Sequence, residues 1–470
     1  MHHRSRLLIP LAAGLVFIAG GWDAGNAPAT TTPRHPGTPP HHVIPPSEIT
    51  LTHTLSGPSL QVEMPPVGLS LEYPLMAQDL GSGPCPPPAL GTELRRLGSP
   101  PLALAGASQD VTAPSGALSA LPISWQIASL YSLPASFWSQ LHCLLSETKD
   151  PLIAGINMKT AEPTWAEQMV AGAQSAATNG LAFSLGNEPD LYSLPNYAEL
   201  AKPQANGEVI AVDRYLQLAT SLLQTLNGAP VIGPELAIAA RWQHQLPRII
   251  RELHDAIVGV HLYPLSACAG PKVTTVKALL SASAADAPHS LAWVAKDASA
   301  AHLPAILSES NSASCGGEAG VSDSPAAAVW SVRFILTALK TGFQEVRFHF
   351  SGGPYDPFIV RGQEVVDRPL QSALVAINQW LPAGTFLRTL TGVRGLVATA
   401  IGGTAGQPQL ILDNEGEKEQ TVLLRGAPSA RIEVLSPTVT GLQTAQLSSP
   451  RDRIKLTVQS NTVLAVFSQA

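Results

Sequence analysis

The chain has 470 residues, of which 45% are hydrophobic and only 13% are charged, and its formal net charge is −6. So many apolar residues exclude a disordered chain, and this length suggests one barrel-sized domain with a smaller partner. The net negative charge offers no basic surface for nucleic acid, so no nucleic-acid partner is expected.

The first 46 residues have the composition of segments outside a fold. A basic start at 2–6 precedes an apolar run at 7–21 and then small residues, which predicts a signal peptide over 1–29. The alternative is a retained membrane anchor, but about 20 apolar residues are usually needed to span a bilayer. We therefore expect a secreted or periplasmic protein with no stable membrane insertion. Residues 30–46 are proline-rich and predict a tether.

Eight short apolar runs follow in chain order, and helical stretches separate several of them. Such runs are typical of buried parallel strands, and eight alternations of strand and helix predict an α/β fold, a closed (β/α)8 TIM barrel over 66–367. The predicted strands cover residues 67–73, 101–106, 152–158, 181–188, 229–234, 257–263, 304–309 and 345–350.

Beyond residue 367 the helical spacers give way to short strands separated by Gly, Pro, Ser and Asn turns. This pattern is typical of a β-sandwich. The segment before the first barrel strand has the same character. We therefore predict an accessory β-sandwich domain built from residues 47–65 together with 368–470.

Two glutamates end predicted strands, Glu188 in FSLGNEPDLY at strand four and Glu309 in AILSESNSASCGG at strand seven. A barrel presents its catalytic groups at the carboxyl ends of its strands. A retaining glycosidase needs two carboxyl groups about 5 Å apart, one to protonate the leaving oxygen and one to attack the anomeric carbon. The pair predicts this chemistry, with the Asn187 amide in reach of the sugar 2-OH. A surface turn after a strand is the alternative interpretation of Asn187-Glu188-Pro189.

Four cysteines in an exported chain allow two disulfides in three pairings. Cys268 follows strand six and Cys315 follows strand seven, and loops of neighbouring strands meet, so we predict the pair Cys268–Cys315. Cys85 and Cys143 then form a second pair or stay as free buried thiols. Because no Cys or His spacing matches a metal site, neither a metal nor a cofactor is expected.

Eight motifs spread over nearly the whole mature chain are informative as an ordered set. They are GLSLEYPLMAQDLG, GASQD, IAGINMKT, FSLGNEPDLY, VHLYPLSAC, ILSESNSASCGGEAGVSDSPAAAVW, FHFSGGPYDPF and DRPLQSAL. The set resembles glycoside hydrolase family 79, the β-glucuronidases and heparanase-like enzymes of clan A. The resemblance implies Glu188 as acid/base, Glu309 as nucleophile, and a β-linked glucuronic acid on a glycan end or small aglycone as substrate. The function it favours is an exo-acting β-glucuronidase.

Three further residues near strand ends are candidates for the site. Tyr263, at the end of strand six, is predicted to hydrogen-bond Glu309, unless it only packs at the rim. His261 shares the face of Tyr263 if the strand is regular, although a lone histidine is more often a satisfied core residue. Asp110 in GASQD resembles a family residue that contacts sugar hydroxyls, and the alternative is a solvated loop acid.

Four more residues are placed by their motifs. Asn157 is predicted to line the pocket floor or to cap a strand, and Asn311 to bind sugar or to shape a turn. His349 and Tyr355 flank the loop after strand eight and match family positions near the substrate. All four sit towards the carboxyl-terminal face of the predicted barrel, where substrate contact is expected.

The loop after Glu309 departs from the family. In relatives this loop offers a tyrosine hydroxyl and glycine amides to the uronate carboxylate, whereas here the tyrosine position is Ser314, with Gly316 and Gly317 retained. Backbone N–H groups can bind an anion without a positive side chain. A glucuronide stays favoured, and a clan-A hydrolase for another β-linked sugar is the alternative.

A second departure lies at strand two, where relatives commonly read RIGGNS and this chain reads ALAGAS. Ala103 and Ala107 occupy the arginine and asparagine positions. Loss of a cation there weakens the stabilisation of the nucleophile's negative charge. Either Arg96 or another arginine replaces it, or the chain is a catalytically impaired glycan-binding protein.

Overall fold

A computed structural model of the chain describes residues 46–51, 59–117, 130–160, 162–192, 207–403, 406–449 and 453–469. The predicted signal peptide and residues 30–45 of the predicted tether lie outside the described residues.

Eight parallel strands close into a barrel, and each strand pairs with its two neighbours in chain order. Each of the eight predicted segments overlaps one of these strands, so the predicted TIM-barrel fold is confirmed. The strands are Val67–Leu71 (β1), Leu102–Leu104 (β2), Leu152–Ile156 (β3), Leu181–Leu185 (β4), Val231–Leu236 (β5), Ile257–Leu262 (β6), Ala305–Ser310 (β7) and Phe343–Phe350 (β8). They read as apolar runs because a parallel strand is covered on both faces, and every residue of β3 is buried.

Helices surround the barrel and supply its outer layer. They are Tyr73–Leu80 (α1), Pro88–Arg96 (α2), Phe137–Thr148 (α3), Pro163–Ala176 (α4), Gly207–Leu223 (α5), Leu246–Leu253 (α6), Val276–Leu279 (α7), Ala282–Ala285 (α8), Ala292–Ala300 (α9), Pro325–Thr341 (α10) and Pro369–Trp380 (α11). Within the described part of the chain, every helix is too short or too polar to cross a bilayer.

Helix α11 begins at the expected boundary near residue 368. It packs against α10, against barrel strand β1 and against the strand Val439–Ser448 of the second domain. The strands of the second domain resume only at Phe386. The apolar residues of PLQSALVAINQW recur with the spacing of a helix, and this spacing distinguishes the segment from the strands that follow it.

Two sheets pack face to face to form the second domain. The smaller sheet has the order Ser47–Thr50, Gln420–Arg425, Arg453–Val458. The larger sheet has the order Leu60–Gln61, Phe386–Leu390, Val397–Gly402, Leu410–Asn414, Thr462–Gln469, Ser429–Ser436, Val439–Ser448. Ile49, Val422 and Leu456 of the smaller sheet meet Leu410, Leu412 and Val466 of the larger one in a shared apolar core. The segment before the barrel thus adds one strand to each sheet.

Helix α10 joins the barrel to the sandwich. It contacts β8 on one side and the strand Ser429–Ser436 on the other, and it is buried along nearly its whole length. From this helix Arg333 Nε donates to both carboxylate oxygens of Asp413 at 3.0 Å, and Nη2 donates to Oδ1 at 2.8 Å. The bidentate geometry satisfies two charges that are both buried at the domain junction.

Both expected disulfides are formed. Cys85 and Cys143 lie 5.5 Å apart between Cα atoms, and Cys268 and Cys315 lie 5.8 Å apart. The second bridge ties the loop after β6 to the loop after β7, beside a short parallel pairing of Leu265–Ser266 with Ala313–Ser314. Two other short pairings are Thr112–Ala113 with Tyr131–Ser132, and Phe358–Arg361 with Glu364–Asp367.

Candidate active site

Glu188 and Glu309 come together at the carboxyl-terminal rim of the barrel. Glu309 lies within β7, and Glu188 lies three residues beyond the end of β4. One carboxylate oxygen of each glutamate and a ring nitrogen of His261 all lie within 4.8 Å of one another. This separation matches the short carboxyl spacing of retaining glycosidases rather than the longer spacing that accommodates a water in inverting ones.

The loop that carries Glu188 is held in an unusual backbone conformation. Glu188 has φ +53°, a left-handed value that a residue other than glycine adopts only when its surroundings enforce it. Its N–H donates to the carbonyl of Glu235 at 3.0 Å. The Asp190 carboxylate accepts hydrogen bonds at 2.9 Å from the N–H groups of Ala237 and Ile238. The rim loops after β4 and β5 therefore fix the direction of the Glu188 side chain.

Asp110 has a different place from the one that the sequence predicted. Its side chain is 0% exposed, so it does not face a sugar. One oxygen accepts from the N–H of Met158 at 3.1 Å, and the other accepts from the N–H of Asn187 at 3.2 Å and from the Tyr192 hydroxyl at 2.6 Å. Burial raises the pKa of Asp110, against the opposing effect of Lys159. Asp110 braces the loops after β3 and β4, and Asn187 lies buried beside Glu188.

Glu309 has one restrained and one unrestrained carboxylate oxygen. The Tyr263 hydroxyl donates to Oε1 at 2.8 Å, whereas Oε2 makes no hydrogen bond to any described residue. Burial, followed by the charge of Glu309, raises the pKa of Tyr263 well above its usual value, so the phenol stays a neutral donor. An anchored carboxylate with a free lone pair is the arrangement that a nucleophile needs.

His261 lies among three carboxylates. Its Nδ1 atom is 3.2 Å from Glu188 Oε1 and 3.9 Å from Glu309 Oε1, and its Nε2 atom is 3.3 Å from Glu235 Oε2. Burial by itself lowers the pKa of His261, but the charge of Glu309 and the hydrogen bonds to Glu188 and Glu235 outweigh it and raise this pKa well above the usual value. These contacts favour the charged form of the ring.

A cluster of two carboxylates and a histidine also has the composition of a small cation site. Glu188, His261 and Glu309 bring one oxygen, one nitrogen and one oxygen within 4.8 Å. A doubly protonated imidazole has no lone pair to share with a metal, because both of its nitrogens are donors. Full protonation of His261 and metal binding at this cluster therefore exclude each other.

His349 supplies a second cation beside Glu309. Its Nδ1 atom lies 3.6 Å from Glu309 Oε2, and its Nε2 atom lies 3.4 Å from Glu72 Oε1. Burial lowers the pKa of His349, but Glu309 and Glu72 together raise it to about 9. The backbone N–H groups of Ala107 and Ser108 hold the Glu72 carboxylate at 3.1 and 2.7 Å.

Ala103 and Ala107 do not leave Glu309 without a neighbouring cation, because these two histidines lie beside it. Among the described residues no arginine pairs with Glu309, and Arg96 instead pairs with Glu93 and Asp367 at 2.7 and 2.6 Å, on the outside of the barrel. The prediction that Arg96 replaces the missing cation is wrong, because α2 places its side chain outside the barrel. The imidazolium groups of His261 and His349 provide the positive charge.

The loop after Glu309 adopts a run of left-handed backbone conformations. Cys315, Gly316 and Gly317 have φ values of +61°, +84° and +84°. A Cβ at Gly317 would lie 3.0 Å from the Tyr355 side chain, so glycine is required there. Ser314 directs its hydroxyl to Ser266 Oγ at 3.0 Å rather than standing free.

The remaining predicted residues divide between the pocket and its supports. The Tyr263 and Tyr355 rings stack with centroids 6.4 Å apart, and Tyr355 also meets the edge of His349. The Asn311 amide donates to the carbonyls of His349 and Tyr355 at 3.0 and 3.2 Å, which shapes the rim. The Asn157 amide donates to the carbonyl of Thr112 at 3.2 Å and its Oδ1 accepts from the N–H of Thr160 at 3.0 Å, which is a strand cap.

Sequence reasoning missed two carboxylates that contact this cluster. Glu72 follows β1 directly, and Glu235 lies in the last two residues of β5. Both stand where a strand meets the rim, which is the signal that singled out Glu188 and Glu309. Applying that signal to all eight strands would have found them.

No protein-family model matches the sequence, and comparison with curated proteins found no relative. Solved structures do match. A 4-O-α-L-rhamnosyl-β-D-glucuronidase from Fusarium oxysporum 12S, in complex with Rha-GlcA, superposes with a TM-score of 0.65 at 19% identity, over 87% of this chain and 97% of that one. A family 51 α-L-arabinofuranosidase from Bifidobacterium longum gives 0.62 at 11% identity, over 90% and 99% of the two chains.

A GH30 endoxylanase from Clostridium papyrosolvens C71 gives a TM-score of 0.56 at 12% identity, over 90% of this chain and 99% of that one. At these identities the likeness is one of fold. The chain therefore shares with these glycoside hydrolases the fold of a TIM barrel with an added β-domain.

Proposed function

We propose that this protein is a retaining glycoside hydrolase with Glu188 as acid/base and Glu309 as nucleophile. The observation that carries the proposal is the approach of their carboxylate oxygens to within 4.8 Å at the barrel rim. The glycosidase fold of the solved structures that it matches supports the same reaction class.

The reaction has two steps. In the first, Glu309 Oε2 attacks the anomeric carbon while the Glu188 proton passes to the glycosidic oxygen, so the carbon–oxygen bond to the leaving group breaks and a glycosyl–Glu309 ester forms. In the second, Glu188 takes a proton from water, whose oxygen attacks the same carbon and releases Glu309. Tyr263 and the two charged histidines stabilise the negative charge that moves between the glutamates.

We further propose that the sugar is a terminal β-linked glucuronic acid and that the protein acts outside the cytoplasm. The family-79 resemblance and the fold shared with a rhamnosyl-glucuronidase support the sugar. Cys315, Gly316 and Gly317 are consecutive left-handed residues, and the backbone N–H groups of such a turn can bind a carboxylate. Two disulfides support an oxidising compartment.

The test is hydrolysis of a panel of aryl β-glycosides that includes the glucuronide, the glucoside and the xyloside. We expect turnover of the glucuronide, with the β-anomer of the free sugar appearing first by proton NMR. Glu188→Gln and Glu309→Gln should remove it, while Glu364→Gln, an exposed hairpin glutamate, serves as the matched control.

Turnover of another glycoside alone would move the assignment to a different β-linked sugar. An α-anomer as first product would exclude retention. Binding of glucuronic acid without turnover of any glycoside would favour an impaired glycan-binding protein.

A further inference from the structure

Two β-bulges meet beneath the catalytic pair. Between β5 and β6 the pairing passes from Gly259 opposite Pro234 to Val260 opposite Leu236, which leaves Glu235 as an extra residue. Between β6 and β7 the register also shifts at Val260/His261, which leaves Ser308 as an extra residue. Bulges next to active sites turn a side chain in a new direction.

The backbone of Glu235 is held in a conformation that glycine usually occupies. Its φ is +56°, a left-handed value that residues with a side chain rarely adopt. Such strain persists only where the surrounding structure enforces it, and it concentrates at functional sites. The bulge and the strain together aim the Glu235 carboxylate at the ring of His261.

Glu235 is 4% exposed and is enclosed by β6 and β7. Its Oε2 atom lies 3.3 Å from His261 Nε2 and accepts a short hydrogen bond from the Ser308 hydroxyl. On the opposite edge of the ring, His261 Nδ1 lies 3.2 Å from Glu188 Oε1. After Glu188 has given up its proton, both neighbours are carboxylates that only accept hydrogen bonds, so only the doubly protonated ring donates to both.

We infer that Glu235 is a positioning residue that keeps His261 charged and aimed at Glu188. The inference rests on the proposed function and adds a residue to it. When Glu188 passes its proton to the leaving oxygen it becomes a carboxylate, and the imidazolium stabilises that new charge. Glu235 is buried against His261 and acts through it.

Every element around His261 contributes a charge that affects its protonation. The loop after β4, strand β5 and strand β7 each bring a carboxylate, and β8 brings a second cation. These groups are Glu188, Glu235 and Glu309 in contact, with Asp190 and His349 further away. A carboxylate in contact shifts a pKa by about 1–3 units, so the removal of one charge has a measurable effect.

The first experiment is the pH profile of kcat and kcat/KM for Glu235→Gln beside Ser308→Ala. The glutamine keeps the shape and removes the charge, whereas the alanine removes the hydroxyl and leaves the charge. We expect the alkaline limb to move to lower pH by one unit or more in Glu235→Gln, with lower kcat and a nearly unchanged KM. In Ser308→Ala the limb should stay in place. Superimposable limbs for wild type and Glu235→Gln would overturn the inference.

The second experiment is independent of turnover. NMR titration of histidine-labelled protein, with the His261 signal assigned from His261→Gln, measures the pKa of His261 in wild type and in Glu235→Gln. A drop of one unit or more supports the inference, and an unchanged pKa overturns it. A chain that hydrolyses no glycoside would refute the proposed function, yet this titration would still decide the role of Glu235. If Glu235→Gln does not fold, Glu235→Asp keeps the charge and should keep the pKa raised.

Discussion

Two layers of side chains fill the barrel interior, and they differ in composition. The lower layer is an apolar cluster contributed by Ala103, Ile153, Ile232 and Ile306. The upper layer, three residues further along the same strands at Glu235 and Glu309, consists of buried ionisable groups. One set of strands thus carries a hydrophobic core at one level and a charge network at the next.

The apolar layer and the ionisable layer therefore serve different purposes, stability in the first and chemistry in the second. Burial of apolar side chains stabilises the fold by roughly 25 cal/mol per Å². Buried charges lose hydration and are retained mainly where chemistry requires them. We therefore expect substitutions in the lower layer to change stability and substitutions in the upper layer to change activity.

The largest effect is expected for Glu309→Gln. Loss of the proposed nucleophile should lower kcat on the order of 10⁴-fold or more, because an amide cannot attack the anomeric carbon to form the glycosyl ester. The thermal midpoint should shift by only a few degrees, since the amide fills the same space. Glycoside hydrolysis and a thermal melt on one preparation measure both. Residual activity within tenfold of wild type would remove Glu309 from the chemistry.

The second effect is expected for Ile306→Ala, three residues earlier on β7. Ile306 is fully buried, and removal of such a side chain costs about 2–5 kcal/mol of unfolding free energy. Chemical denaturation measures this loss. At a temperature where the variant is folded, kcat should stay within a few-fold of wild type. A large loss of kcat in the folded variant would show that the two layers are not separable.

The upper layer was also harder to predict from the sequence than the lower one. All eight strands were predicted because a strand covered on both faces reads as an apolar run. Glu188 and Glu309 were found because each follows such a run. The role of Glu235 was not predictable in this way, because its direction depends on a bulge set by pairing with β6. Burial of Asp110 depends likewise on contacts with Asn187 and Tyr192, which lie far along the chain.

A third effect concerns pH and the charge of His349. Its pKa in the fold is about 9, above the usual value near 6.5, so the protonated ring stabilises the native state. This contribution is fully present below about pH 6.5 and is lost as pH rises through 9, with a total of about 3 kcal/mol. Unfolding free energies measured from pH 6 to 10 should decline across this window.

The matched variant for this decline is His349→Gln, which keeps a polar side chain beside Glu72 and does not titrate. Its unfolding free energy should be flatter than that of wild type between pH 6.5 and 9. Parallel slopes for the two proteins would mean that His349 is not charged in the fold.

The smallest effect is expected for Tyr263→Phe, which removes the hydroxyl that donates to Glu309 Oε1. A hydrogen bond to a charged group contributes about 1.5–3 kcal/mol, so kcat should fall roughly 10–100-fold while KM changes little. The control is Tyr215→Phe, which loses a buried hydroxyl bonded to the Leu185 carbonyl at 3.1 Å, away from the two glutamates. Because both variants lose the same atom, a difference in kcat isolates the contact with Glu309. Equal kcat values would place Tyr263 with the supporting residues, and the ionisable layer would then act through its histidines alone.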